Sequence, residues 1–183
     1  MPRQIFSFDP PDRFVVGTVG QPGERTFFLQ AKEGARVVSV ALEKVQVQVL
    51  AERLEELLDE VRRRGTDVPV VVPSELEDVR PLDQPIMEEF RVGTMALAWD
   101  ADDSVVVVEA HAATDDEQSD GDPEPGEDDG PDILRVRISG AHGRAFVKRA
   151  LRVVAAGRPP CPLCGQPLDP QGHICPRQNG HHH

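Results

Sequence analysis

Apolar and polar residues along this chain follow two kinds of pattern, and each occurs twice. Short β-branched runs bounded by turn residues come first: FVVGT (Phe14 to Thr18), TFFLQA from Thr26 and RVVSVAL from Arg36. Such runs predict strands, because branched side chains pack well on a pleated, half-buried surface. A segment of helical period follows, VQVQVLAERLEELLDEV. Its Val47, Leu50, Ala51, Leu54, Leu57, Leu58 and Val61 recur at spacings of three and four, which predicts one core-facing stripe. The same order then returns as FRVGT (Phe90 to Thr94), SVVVVEA from Ser104, ILRVRI from Ile133 and the helical AHGRAFVKRALRVVAAG. Gly65 and Gly157 stand where a helix C-terminus favours a left-handed residue, and Ser139 is placed to cap the second helix.

FVVGT and FRVGT are offset by 76 positions, whereas the third strand and the helix align at an offset of 96, Leu42 on Ile138 and Leu54 on Ala150. The difference of 20 equals the length of an acidic stretch in the second copy. The expectation is an α+β domain of duplicated β-β-β-α units over residues 1–158. The units form one antiparallel sheet or open barrel with two helices against it. Repeat one spans about residues 4–65 and repeat two about 88–157, and QIFSF at Gln4 adds an edge strand. Between them, residues 66–87 carry four prolines and read as a surface connector.

Charge changes this picture in one place. Residues 113–132 hold ten acidic side chains and no basic one, which accounts for all but two of the net charge of −12. The body is therefore nearly neutral. The insert itself is too polar to bury a core and reads as a disordered loop. Arg135, Arg137, Arg144, Lys148, Arg149 and Arg152 make the second copy's last strand and helix basic. One reading is a nucleic-acid footprint, disfavoured by the scarcity of stacking aromatics and by the adjacent acids. The plainer reading is a solvated face balanced by Glu52, Glu55, Glu56, Asp59 and Glu60 of the first helix. The insert is expected to lie over that basic face as a loose electrostatic cover.

All three cysteines fall in CPLCGQPLDPQGHICP. Cys161 and Cys164 make a Cys-x-x-Cys knuckle, and His173 and Cys175 return after a loop shaped by Pro167, Pro170 and Gly172. Three thiolates and one imidazole form a closed tetrahedral shell, the donor set of one structural zinc ion in a knuckle at 159–178. Residues 179–183 read as a flexible tail, and His181, His182 and His183 stay outside the site. The N-terminus MPRQIFSF lacks a signal-peptide pattern and no apolar run is long enough to span a membrane, so a cytoplasmic, non-inserted protein is expected.

The stretches RQIFSFDPPDRFVVGTVGQPGERTFFLQA, EEFRVGTMALAWD and GRPPCPLCGQPLDPQGHICPR together resemble an actinobacterial family catalogued only as a domain of unknown function. The resemblance covers essentially the whole chain and implies no activity and no catalytic residue. It does imply a genomic context beside a phosphoglycerate-mutase-like phosphatase and a lipid-kinase-like protein. The functional expectation is a zinc-binding interaction or adaptor module with a protein partner. The alternative is an enzyme acting on a small phosphorylated or acidic metabolite, with a site between the repeats lined by Arg135, Arg137 or His111.

Overall fold

The computed structural model describes residues 3–21, 24–114 and 130–156. The first helical pattern forms α1 (Lys44–Arg63), and the expected stripe is its inner face. Val47, Leu50, Ala51, Leu54, Leu58 and Val61 are buried there, while Leu57 packs at the margin. Gln46 Oε1 accepts the Glu43 N–H and closes the first turn (2.7 Å). Gly65 ends the helix at φ +99°, the left-handed conformation that glycine adopts without a Cβ penalty. The second pattern forms α2 (Gly140–Ala155), capped by the Ser139 hydroxyl, which accepts the His142 N–H. Gly157 lies outside the described residues.

The strands are β1 (Ile5–Phe8), β2 (Arg13–Val19), β3 (Thr26–Glu33), β4 (Arg36–Leu42), β5 (Glu88–Asp100), β6 (Val105–Ala112) and β7 (Ile133–Ser139). They form one seven-stranded sheet in the order β1-β7-β6-β5-β4-β3-β2. Each half is an antiparallel meander followed by a helix. The expected all-antiparallel sheet is corrected at two places, since β4 pairs β5 and β1 pairs β7 in parallel. The cause is the direction of the chain. At β4–β5, α1 carries it back along the sheet, so the second meander starts in the same direction as the first ended; β1 precedes β2, and no helix links it to β7.

A second constraint curls the sheet. β1 and β2 occupy opposite edges, yet only Asp9–Asp12 separates them. Seven flat strands would hold the two edges roughly 29 Å apart at about 4.8 Å per step, while the five steps from Phe8 to Arg13 reach at most about 18 Å. The sheet must therefore coil and bring its edges towards each other. Its inner face and the two helices share one core, including Phe8, Phe14, Leu29, Leu54, Leu58, Ile138 and Phe146. Phe14 and Phe146 stack with ring centroids 4.6 Å apart.

The connector is less superficial than its prolines suggest. It holds one short 3-10 helix (Ser74–Leu76) and buries Val68 and Leu82. Leu82, with Ile86 beside it, covers Val15, Phe28 and Ala41 on the outer face of the first meander. Gly17 makes that cover possible, because a Cβ there would lie 2.5 Å from Leu82 Cγ. Gly17→Ala should therefore cost about 1–3 kcal/mol through overpacking. Leu82→Ala in the same chain should recover part of it, because the second change removes the clashing atoms. A denaturation cycle over the four variants measures this, and strict additivity would show that the two residues do not meet.

Candidate functional site

The connector and α2 meet at the β2 edge of the sheet, and one carboxylate ties them together. Arg13 starts β2 and is 5% exposed. Its Nε and Nη2 donate to the two oxygens of Asp78 (2.7 and 3.0 Å), its Nη1 donates to Asp83 (2.9 Å), and Nη2 also donates to the Arg80 carbonyl (2.8 Å). This forked geometry lets a planar guanidinium satisfy a carboxylate at both oxygens. From α2, Arg149 Nε donates to the Val16 carbonyl and Nη1 to the Asp78 carbonyl, both at 2.8 Å. Arg152 donates to the same Asp78 carbonyl, and Lys148 pairs with Glu77.

The electrostatics follow from burial set against pairing. Burial alone would raise the Asp78 carboxyl. The Arg13 fork, the Arg80 N–H and the nearby Arg149 charge outweigh it and hold the group at about 2. Around this node opens a cleft of about 290 Å³. Its lining includes Arg13, Arg80, Arg149, Glu75, Asp78 and His142. Burial lowers the His142 imidazole, and the Asp78 charge, which acts the other way, does not restore it. The ring is therefore neutral at pH 7, and among the described residues it has no hydrogen-bond partner.

Several expectations change here. The cations of α2 form a solvated face only in part, at Lys148 and Arg152. Arg144 and Arg149 are buried. Arg144 donates to the Pro69 carbonyl, and its Nη2 makes an ion-pair contact with Asp59 (2.8 Å), the one partner that α1 supplies. Arg149, Arg152 and Lys148 each have a partner in β2 or the connector, while Arg152 and Lys148 stay exposed. Most of the insert itself, 115–129, lies outside the described residues.

Arg135, Arg137 and His111 are brought together, though not between the halves. They stand on β6 and β7 of the second meander, on the face opposite the core. Arg135 and His111 share Glu109 (2.7 and 3.2 Å), and Arg137 contacts Asp9, Asp100 and Asp103. Cys161, Cys164, His173 and Cys175 lie outside the described residues. Among the described residues, no group of three or more His, Cys, Asp or Glu is placed to hold a metal ion. The Asp78 node went unpredicted. Its one sequence signal is Arg13, a cation at the head of an apolar strand run.

Asp78 titrates below its ordinary 3.8 in the folded chain. A depressed carboxylate adds stability above its unfolded pKa and loses it as pH falls through the folded one. The node should therefore contribute about 2 kcal/mol near neutrality, lost between about pH 4 and pH 2. Asp78→Asn should remove that acid-sensitive component and destabilise the protein at pH 7. Thermal melts of both proteins from pH 7 to pH 2 give the comparison. Parallel pH profiles would show that Asp78 is not the responsible carboxylate.

No curated protein and no solved structure matches the sequence. Among the described residues, no helix is long and apolar enough to cross a membrane. Residues 6–175 match the family described as Protein of unknown function (DUF3090), and the chain belongs to that family.

Proposed function

We propose that the chain is a cytoplasmic protein-interaction module whose C-terminal segment is held by one structural zinc ion through Cys161, Cys164, His173 and Cys175. The observation that carries the interaction reading is where the domain places its charge and its apolar surface. Arg13, Arg149 and Asp78 are spent on cross-linking the fold, whereas Val45 and Val49 of α1 stand 64% and 41% exposed. Val45 and Val49 stand four residues apart on α1 and so share one exposed face, and contiguous apolar surface is what marks a partner site. The same reading takes the two β-β-β-α halves as copies of one unit. Phe14 and Val16 of FVVGT and Phe90 and Val92 of FRVGT, all buried, support it.

A metabolite-binding reading has one observation in its favour, the neutral and unpartnered His142 imidazole in the cleft. Affinity capture of the untagged full-length chain from its host, followed by native mass spectrometry, separates the two. A stoichiometric protein partner supports the module. A small metabolite bound without any protein would overturn it and move attention to His142.

Zinc makes a separate prediction. The donor set leaves no open coordination position, so the metal would act as a staple and not as a Lewis acid. Purified protein should contain about one zinc per chain, and Cys164→Ser should lose it. The circular dichroism of the β-domain should be nearly unchanged by that loss, because the motif follows α2. Metal-free protein prepared with zinc available would falsify the assignment.

A further inference from the structure

Strand edges expose unpaired N–H and C=O groups, and soluble proteins usually cover them. Both outer edges here receive an arginine. At β2, Arg149 donates to the Val16 carbonyl. At β1, which is four residues long, Arg36 donates to the Ser7 carbonyl (3.1 Å) and lies over the Phe8 ring.

A third edge lies inside the sheet. β5 runs for 13 residues, but β4 pairs with it at Glu88 and Arg91 and ends at Leu42. There the chain turns into α1, and the Gln46 amide caps the Val92 and Gly93 carbonyls (3.0 and 3.2 Å). β6 pairs the other flank of β5 as far as Asp100. Residues 94–100 therefore have no strand beside them on the β4 flank, among the described residues. This run, TMALAWD, contains no proline and no lysine, the residues that commonly blunt an edge.

The open flank borders a groove of about 450 Å³ between α1 and β5, lined by Val49, Leu50, Arg53, Thr94, Met95 and Leu97. Met95, Leu97 and Trp99 lie opposite buried Ala110, Val108 and Val106, so they face the helix side, while Thr94, Ala96 and Ala98 are exposed. Arg53 stands on the wall with no acidic partner among the described residues.

We propose that this groove binds an extended peptide segment of a partner protein, which adds as a strand to residues 94–100 of β5. The proposal rests on the interaction-module reading and names its site and the chemistry of its partner. Seven residues at about 3.3 Å each give a docking length near 23 Å. A strand added there meets the unpaired backbone groups directly. Its side chains alternate between the apolar groove and solvent, which is how strand addition obtains both affinity and specificity. The segment that fits alternates apolar and polar residues and carries a carboxylate within reach of Arg53. A helix would leave the β5 backbone unpaired, and so fits this groove less well.

The test uses the full-length protein and a displayed library of random ten-residue peptides. Enriched peptides should alternate apolar and polar residues and include an acid. Their binding should slow hydrogen exchange at 94–100 and weaken at least tenfold in both Arg53→Glu and Val49→Asp, two exposed helix positions where folding should survive. No enrichment, or binding that leaves exchange at 94–100 unchanged, overturns the proposal. So does slow exchange, in the protein alone, at the amides of 94–100 that point away from β6. Sedimentation would then assign the edge to a second copy if the protein is dimeric, or to the chain's own residues 157–183 if it is monomeric. If a captured host protein still binds Val49→Asp normally, the groove fails while the interaction module stands.

Discussion

The pairing of Asp78 with Arg13 is the interaction on which the positions of the other elements depend. A carboxylate withdrawn from water without partners costs several kcal/mol, so its burial is tolerated only where cations and N–H groups converge. Here Arg13 comes from the sheet, Arg149 from α2, and the Arg80 N–H from the connector itself. Removing any one partner leaves a partly buried charge uncompensated. The connector thus cannot lift from the sheet without disturbing α2, and α2 cannot slide along β2 without breaking the Val16 and Asp78 contacts. The exposed pairs of α1, such as Glu60 with Arg63 and Arg64, impose no comparable constraint, because water and salt screen them.

The same node answers a topological problem. A sheet coiled by the short Asp9–Asp12 link still has two ends, and each end is a place where another chain could pair. α2 lies against β2, and the Phe14–Phe146 stack with the Arg149 bond closes that end. Arg36 reaches across to β1 from the start of β4. The gap along β5 has a different origin. β5 is nearly twice the length of β4, and α1 leaves the sheet at Glu43, too early to flank the rest of it. Two meanders of unequal strand length, joined in parallel, produce such an edge inevitably.

What could be read from the chain depended on how local the cause was. The stripe of α1, the Ser139 cap and the Gly65 terminus are set by residues within a few positions of one another, and all were legible. The order strand, strand, strand, helix was legible for the same reason. The parallel junction between β4 and β5 was not, since it depends on where a helix 20 residues long returns the chain. Arg144 and Arg149 have the composition of a solvated face. Their burial is decided by Pro69 and Asp78, more than 70 positions away. Val45 and Val49 fall outside the core stripe that the helical period predicts, and they face outwards. The Cys161–Cys175 motif is legible as chemistry through its spacing alone, but it lies beyond the described residues.

The acidic insert shows how such a sequence can coexist with this fold. Its two ends are held by the hairpin that it extends. The Ala112 N–H donates to the Asp132 carbonyl (2.9 Å), the Ala113 N–H to Arg91 (2.7 Å), and the Ile133 N–H to Gln4 (3.0 Å). Once those ends are joined, the entropy of closing the loop grows only slowly with length, by about 0.6 kcal/mol per doubling. Twenty residues are therefore cheap to insert at this point, and the β6–β7 register need not change. The ten acids add net charge that the fold's own pairs do not need, since Arg144 and Arg149 of α2 are already held by Asp59, Pro69, Val16 and Asp78. Their charge acts instead on the surroundings of the whole molecule. Beyond a Debye length of about 8 Å at physiological salt that field is largely screened, so it biases which partners approach and leaves the fold to its own pairs.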